Sequence, residues 1–189
     1  MCIVNLVQNY ILIIIPLLFV GYPIFTYLGF RATLPLPSPL EFISHFVFFL
    51  FAEDFTHYLL HRALHIPYLY KTIHKIHHTY QAPFGLVASY AHPLEILILG
   101  FCTFSGPLVL APHYFTFFVW IVYRQLEAVA THSGYEIPNI FEKLPFYGGA
   151  KAHDYHHKIF NCNYSSRFTY LDILFGTYKE PPPMKWKSS

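Results

Sequence analysis

The sequence predicts an all-α, integral-membrane fold: a bundle of membrane helices capped on one side by a helical, histidine-rich cytosolic part. The 189 residues are 54% hydrophobic and only 12% charged, whereas soluble domains carry about a quarter charged residues. The 13 histidines are concentrated in short clusters that follow the apolar stretches. One domain is expected for this length, so we assign residues 1–189 to a single unit.

Four apolar stretches are predicted to be membrane helices. Residues 3–30 carry no charge and are long enough, as a helix, to cross a hydrocarbon core of about 30 Å. They lack the basic start and the cleavage site of a signal peptide, so an anchor is expected. Residues 40–60 follow a proline-rich turn, and residues 94–110 and 113–131 are predicted to form a helical hairpin. The alternative is that these stretches are buried core helices of a soluble protein, but there are too many of them for one small core to bury.

Counting the crossings places the histidine clusters on one side of the membrane. If residues 61–93 are cytosolic, the hairpin returns the chain to the same side, and residues 132–189 are cytosolic as well. Lysine and arginine favour this arrangement, because Arg31 alone falls on the opposite side. His45 and His113 then lie near the far face and are not expected to bind metal.

Three histidine clusters indicate a metal site. They are an HxxxH at 57–61 and two HxxHH motifs at 74–78 and 153–157. Helical residues at i, i+3 and i+4 share a face, so each cluster is predicted to present two or three imidazoles to one metal region. Their histidines are twice what one four-coordinate site needs, so two metals are predicted. Imidazole suits iron, zinc, copper or nickel, and the three dispersed cysteines indicate neither a thiolate site nor a disulfide framework.

Single histidines and carboxylates complete the predicted site. His132 follows the fourth stretch and His92 precedes the third, both on the clustered side, whereas His65 is expected to be an ordinary surface or core residue. The predicted metal ligands are His57, His61, His74, His77, His78, His92, His132, His153, His156 and His157. Ligating imidazoles usually pass their second N–H to a carboxylate or a carbonyl. The carboxylates predicted to support them are Glu53, Asp54, Glu95, Glu127 and Asp154, with ion pairs to Arg62 or Arg124 as the alternative.

The motifs and their surroundings resemble the fatty acid hydroxylase superfamily, and within it the methylsterol monooxygenases. The resemblance extends from about Phe51 to Thr177. Residues 82–95, Ala-Pro-Phe-Gly followed by Tyr-Ala-His-Pro-Leu-Glu, distinguish this subgroup from its relatives. Members are usually longer at the N-terminus, and Ala152 stands where a further histidine often precedes the last cluster. Leu171 and Ile173 also depart from the usual aromatic and basic residues.

The resemblance implies a chemistry and a setting. Two irons in histidine ligands would use O2 to oxidise a sterol 4α-methyl group through alcohol and aldehyde to carboxylate. Electrons would come from NAD(P)H through cytochrome b5 and its reductase, at the endoplasmic reticulum membrane. Lys185 and Lys187 near the C-terminus fit a di-lysine retrieval pattern, and the sequon at Asn163 should stay unmodified on the cytosolic side. Aromatic residues expected at helix ends along a lipid tunnel are Phe48, Phe49, Phe51, Phe115 and Phe118.

Other functions are open to the same residues. A sterol desaturase or a fatty-acid hydroxylase would use the same clusters, and a truncated, inactive paralogue could retain them. A metal transporter would distribute histidines across the membrane, which the predicted topology disfavours. The net charge of +2, without a basic tract interleaved with aromatics, gives no indication of a nucleic-acid partner. The expected partners are a sterol, membrane lipid, and cytochrome b5 with its reductase.

Overall fold

In the computed structural model, which describes residues 2–182, the chain folds into helices joined by short connections. The α-helices are α1 (Cys2–Tyr27, with a π-helical turn at Tyr10–Ile14), α2 (Pro39–Leu64), α3 (Pro67–Thr72), α4 (Pro93–Leu110), α5 (Tyr114–Thr131), α6 (Gly149–Ile159) and α7 (Tyr170–Leu174). Two 3-10 helices span His74–Thr79 and Gly85–Ser89. Within these residues β-structure is limited to two isolated bridges, so the predicted all-α class is confirmed.

Proline and capping side chains set where the long helices begin. Pro39 and Pro93 occupy the first turns of α2 and α4, where the missing N–H has no partner to lose. Ser38 caps α2 by accepting a hydrogen bond from the Glu41 N–H. The hairpin between α4 and α5 turns at Ala111, whose φ of 43° ends α4. The four long helices therefore match the predicted apolar stretches.

Two of the long helices have the length and composition to cross a membrane. They are α1, with a mean hydropathy of 2.2, and α4, with a mean hydropathy of 1.7. Little of either helix is buried within the protein, 6% and 22% of the respective windows. α2 and α5 carry charged side chains in their second halves, Glu53 and Arg124 among them. The number of crossings and the cytosolic placement of the connections stay predictions.

An aromatic core holds the long helices together. Phe49 and Leu50 of α2 pack against Trp120 of α5, whose indole Nε1 donates to the Thr103 carbonyl of α4 at 2.7 Å. Gly106 of α4 lies directly against Phe49, because a Cβ at Gly106 would stand 2.8 Å from Phe49 Cδ1. This packing brings together the end of α2, the start of α4 and the end of α5, which are the segments that carry histidines.

Candidate metal centre and its cavity

Nine buried or half-buried histidines converge in two adjoining groups. The first histidine group consists of His61, His65, His74, His78 and His156, and the second of His77, His132, His153 and His157. Within each group, one ring nitrogen from every member lies within 4.8 Å of the others. The groups are neighbours, since the rings of His78 and His157 are 4.6 Å apart. The predicted histidine clusters therefore meet in one place.

Each HxxHH motif is divided between the two groups. In residues 74–78, the first and last histidines join the first group and His77 joins the second. In residues 153–157 the division is reversed, because His153 and His157 join the second group and His156 the first. This corrects the expectation that each motif serves a single metal region. Each motif instead ties the two groups together.

The spacing of the ring nitrogens fits metal coordination. In the first group, Nε2 of His74 lies 3.1 Å from Nε2 of His61 and 3.0 Å from Nε2 of His78. In the second, Nε2 of His132 lies 3.2 Å from that of His77 and 2.9 Å from that of His153. Neighbouring imidazole nitrogens about 2.1 Å from one metal stand about 3.0–3.4 Å apart.

The opposite ring nitrogen of most of these histidines is held by an oxygen. Nδ1 of His74 lies 2.9 Å from Oε1 of Glu95, although the two atoms do not have hydrogen-bond geometry. In five other histidines, Nδ1 lies within hydrogen-bond distance of a backbone carbonyl oxygen. The pairs are His61 with Tyr164 (2.7 Å), His77 with Tyr90 (3.3 Å), His132 with Ala128 (2.8 Å), His156 with Cys162 (2.6 Å) and His157 with Tyr80 (3.2 Å). A carbonyl can only accept, so each of these rings carries its proton on Nδ1 and leaves a lone pair on Nε2.

These lone pairs need a cation between them. Burial lowers the pKa of His77 to about 4 and that of His132 to about 3, so both rings are neutral near pH 7. Neutral rings whose lone pairs face one another at 3.2 Å repel unless something positive lies between them. Neutral imidazole is also the form that binds metals. The residues present therefore fit one metal ion in each group.

The structure brings the predicted ligands together except His57 and His92. His92 caps α4, where its Nδ1 accepts from the Leu94 N–H at 3.1 Å, and it lies outside both groups. A histidine before Pro93 at a helix start serves as a cap, and a ligand role for His92 stays a prediction that this geometry does not favour. His57 lies beside the first group, its ring 5.1 Å from that of His61, and a ligand role for it stays a prediction.

His65 lies in the first group, although the sequence favoured an ordinary surface or core residue. It follows the last turn of α2, with its ring 4.7 Å from that of His74 and 4.8 Å from that of His156. The sequence held a signal for it, because His57, His61 and His65 recur every four residues along α2 and share a face. His45 and His113 lie outside both groups.

The predicted carboxylates have different tasks. Glu95 contacts a group member, His74, and Glu53 lies 3.6 Å from Nδ1 of His57 while pairing with Arg124 at 2.7 Å. Glu127 binds Arg124 and Arg167 in a buried ion-pair network. Asp54 accepts the backbone N–H groups of Arg167 and Phe168 at 2.9 and 3.1 Å, and Asp154 bonds to no histidine within residues 2–182. Glu127 and Asp54 therefore have partners other than the histidines, and none of the last three contacts a histidine ring among residues 2–182.

Asp172 is a supporting residue that the sequence analysis did not identify. It is buried, and its carboxylate accepts the N–H groups of Tyr164 and Ser165 at 2.8 and 3.0 Å. The Tyr164 carbonyl in turn accepts from Nδ1 of His61. Asp172 thus orients the candidate ligand His61 through the backbone of Tyr164, and no sequence motif indicates this role.

A cavity of about 220 Å³ opens from the histidines toward the apolar helices. His77, His132 and His153 lie at one end, with His57 and His61. Its walls come from α1, α4 and α5, through Asn9, Ile14, Ile96, Leu99, Gly100, Gln125 and Ala128 among others. None of the five phenylalanines expected along a tunnel lines it. Phe49 packs in the core, and the other four are at least 39% exposed. The cavity is lined instead by the histidines and by aliphatic and polar residues of the three helices.

Comparison with known proteins gives a consistent result. The family model described as fatty acid hydroxylase matches residues 46–177. A very-long-chain aldehyde decarbonylase (GL1-8) of Oryza sativa subsp. indica is 49% identical over 183 residues, which cover 95% of this chain and 68% of the relative. Methylsterol monooxygenase 2-2 of Arabidopsis thaliana is 46% identical over 182 residues, covering 94% of this chain and 68% of the relative. No solved structure matches.

Proposed function

The chain belongs to the fatty acid hydroxylase family, and from that premise we propose that it is a membrane-bound, di-iron methylsterol monooxygenase. It is an oxidoreductase by family. The reaction proposed is the O2-dependent oxidation of the C4-methyl group of sterol precursors. The observation that carries the proposal is the pair of histidine groups, with their Nε2 lone pairs directed inward, at the end of a cavity that leads to apolar helices.

The histidines would hold two irons, one in each group. Imidazole ligation suits iron, and a methyl C–H bond is not attacked by any acid–base side chain. The bound irons would supply the O2 chemistry, while the protein supplies position and electrostatics. The carbonyls behind His61, His77 and His132 keep those rings in the tautomer that ligation needs. The interleaved HxxHH motifs keep the two groups at a fixed separation.

The cavity would admit part of a lipid rather than the whole molecule. Its volume of about 220 Å³ is below the range of roughly 300–1,000 Å³ for sites that enclose a small molecule. Its walls are mainly apolar, from Ile96 and Leu99 of α4 and Ile14 of α1. A lipid whose body remains among the membrane helices would place only its reactive end against His77 and His132. That arrangement suits a substrate that is delivered from the bilayer.

Electrons would arrive on the exposed side of the histidine groups. Lys71, Lys75 and Lys158 are exposed and adjoin the HxxHH motifs in sequence. An acidic electron carrier such as cytochrome b5 would be attracted to such a basic face. NAD(P)H would then reduce the carrier through its reductase. The setting proposed is the endoplasmic reticulum membrane, and the di-lysine pattern predicted for its retention lies outside the described residues.

A second candidate substrate is a very-long-chain aldehyde. Relatives named as very-long-chain aldehyde decarbonylases are 45–49% identical to this chain, which is as close as those named as methylsterol monooxygenases. An apolar cavity that ends at two metals would accept the head of either molecule. Sequence similarity therefore supports an oxidoreductase acting on a lipid, and the choice of lipid needs an assay.

The deciding experiment uses the full chain purified in detergent. Bound metal is counted, and the protein is supplied with O2, NADPH, cytochrome b5 and its reductase, together with a 4,4-dimethylsterol or a very-long-chain aldehyde. We expect about two irons per chain and oxidised C4-methyl products from the sterol. Consumption of the aldehyde alone would replace the sterol proposal with the second candidate. Protein without bound metal would overturn the di-iron proposal.

A further inference from the structure

Two polar side chains in the cavity wall are not accounted for by metal binding. Glu95 is 1% exposed and lines the cavity. Its Oε1 faces His74, but its Oε2 is buried and has no hydrogen-bond partner among the described residues. A buried oxygen left without a partner costs about 1–3 kcal/mol, so such an atom in a cavity wall indicates a missing ligand.

Asn9 is the second polar group, and it lies in a different helix from Glu95. It is 3% exposed, lines the same cavity, and lies in α1, whose composition suits a membrane. Its Nδ2 donates to the Ala91 carbonyl at 3.1 Å and to Oδ1 of Asn5. Its own Oδ1 accepts no hydrogen bond from any residue in the range 2–182. A polar side chain at membrane depth is costly, and by default it marks a functional site.

The two residues belong to one wall of the cavity. The Ala91 carbonyl that anchors Asn9 lies one helical turn before Glu95, at the start of α4. Glu95 in turn lies 4.0 Å from Nδ1 of His77, a member of the second histidine group. Both vacant atoms, Oε2 of Glu95 and Oδ1 of Asn9, are acceptors. A ligand that donates a hydrogen bond beside the second group would satisfy either of these two atoms.

We propose that Asn9 and Glu95 bind a hydroxyl group of the substrate, at the ring carbon next to the one that bears the oxidised methyl group. This inference rests on the proposed function and narrows it. A hydroxyl can donate to an acceptor, whereas an aldehyde carbonyl cannot. In a 4-methyl-3-hydroxysterol, the hydroxyl and the reactive methyl are on neighbouring ring carbons, so a hydroxyl held beside His77 keeps the methyl at the histidine end. The terminal torsion of a glutamate is soft, so Oε2 can turn toward such a ligand.

The test compares a 4,4-dimethyl-3-hydroxysterol with its 3-deoxy analogue. Binding to the metal-loaded protein is measured without reductant, and turnover is then measured with the complete electron chain. The variants are Asn9→Ala and, as matched control, Asn5→Ala. Asn5 also donates to the Ala91 carbonyl but does not line the cavity. Metal content and thermal unfolding show whether each variant folds and keeps its metals.

We expect the unmodified protein to bind the hydroxysterol roughly 10- to 100-fold more tightly than the deoxy analogue. Asn9→Ala should reduce that preference several-fold at unchanged metal content, and Asn5→Ala should keep it. Glu95→Gln, which retains one oxygen beside His74, should also reduce the preference. Equal binding and turnover of both sterols by the unmodified protein would overturn this inference and leave the proposed function intact. Turnover of an aldehyde and of neither sterol would overturn both.

Discussion

At the scale of single residues, α-helix geometry explains why the HxxHH motif of α6 serves both histidine groups. Successive residues of an α-helix are about 100° apart, so positions i and i+4 differ by about 40°, while i+3 lies on the other side of i. In α6 this turns His153 and His157 toward the second group and His156 toward the first. A motif of this kind therefore has to lie at the boundary between two metals.

The positions of His65 and His92 lead to a first prediction. His65→Ala should lose metal from the first group, because the variant removes one of five clustered imidazoles. His92→Ala should keep its metal and lose only a helix cap, about 1 kcal/mol of stability. Metal content of the two purified variants checks both expectations. The opposite pattern, with metal lost from His92→Ala alone, would restore the ligand set expected from sequence.

A second prediction concerns Asp172, which acts on His61 through the Tyr164 backbone. Asp172→Ala leaves two buried N–H groups and the Thr177 hydroxyl without their acceptor. We expect a loss of about 2–4 kcal/mol in stability and roughly 10- to 100-fold weaker metal binding. Asp154→Asn is the matched control, since Asp154 is half-buried beside His153 and bonds to no histidine in the described range. Equal effects of the two substitutions would contradict the role given to Asp172.

At the scale of elements, the site depends on the close packing of α2 against α4. α2 contributes His61 and His65, while α4 contributes Glu95, so a shift between these helices would separate Glu95 from the first histidine group. Gly106 permits the approach, because an added Cβ would stand 2.9 Å from the Phe49 Cα. Backbone atoms cannot rotate away as a side chain can. The glycine is therefore required by packing and not by turn geometry.

The helix contact gives a third prediction with an internal control. Gly106→Ala should destabilise the protein by roughly 1–3 kcal/mol, because α4 has to move away from α2. Gly100→Ala in the same helix meets nothing within 4 Å and should gain up to about 1 kcal/mol from the higher helix propensity of alanine. Thermal unfolding in the same detergent measures both. Similar melting temperatures for the two variants would show that the two helices can separate at no cost.

At the scale of the whole molecule, the sequence predicted the helices and the convergence of the histidines, because long apolar stretches and clustered imidazoles are properties of residue type. It could not predict the carbonyls of Tyr80, Tyr90 and Cys162 that hold the ligand rings, since any residue offers a carbonyl. The sequence did not distinguish His65 from His92, because both are single histidines near the same clusters. Only the fold shows that His65 lies in the first histidine group and that His92 caps α4.

The last prediction concerns acid and metal removal. It follows because the histidines are buried and neutral in the folded chain but can be protonated in the unfolded chain. Burial lowers the pKa of His77 to about 4 and that of His132 to about 3, from an ordinary 6.5. As the pH falls below about 6.5, the unfolded chain binds protons that the folded chain does not, so stability decreases until the pH passes these lowered values. Protonation also competes with metal binding, so the metal-loaded protein should show the steeper decrease.

We expect a chelator to lower the melting temperature at neutral pH, because the lone pairs facing one another then lack a cation. Added iron should restore the melting temperature. A melting temperature that neither chelation nor acid changes between about pH 7.5 and 4.5 would show that the two groups hold no metal and are not buried as neutral rings.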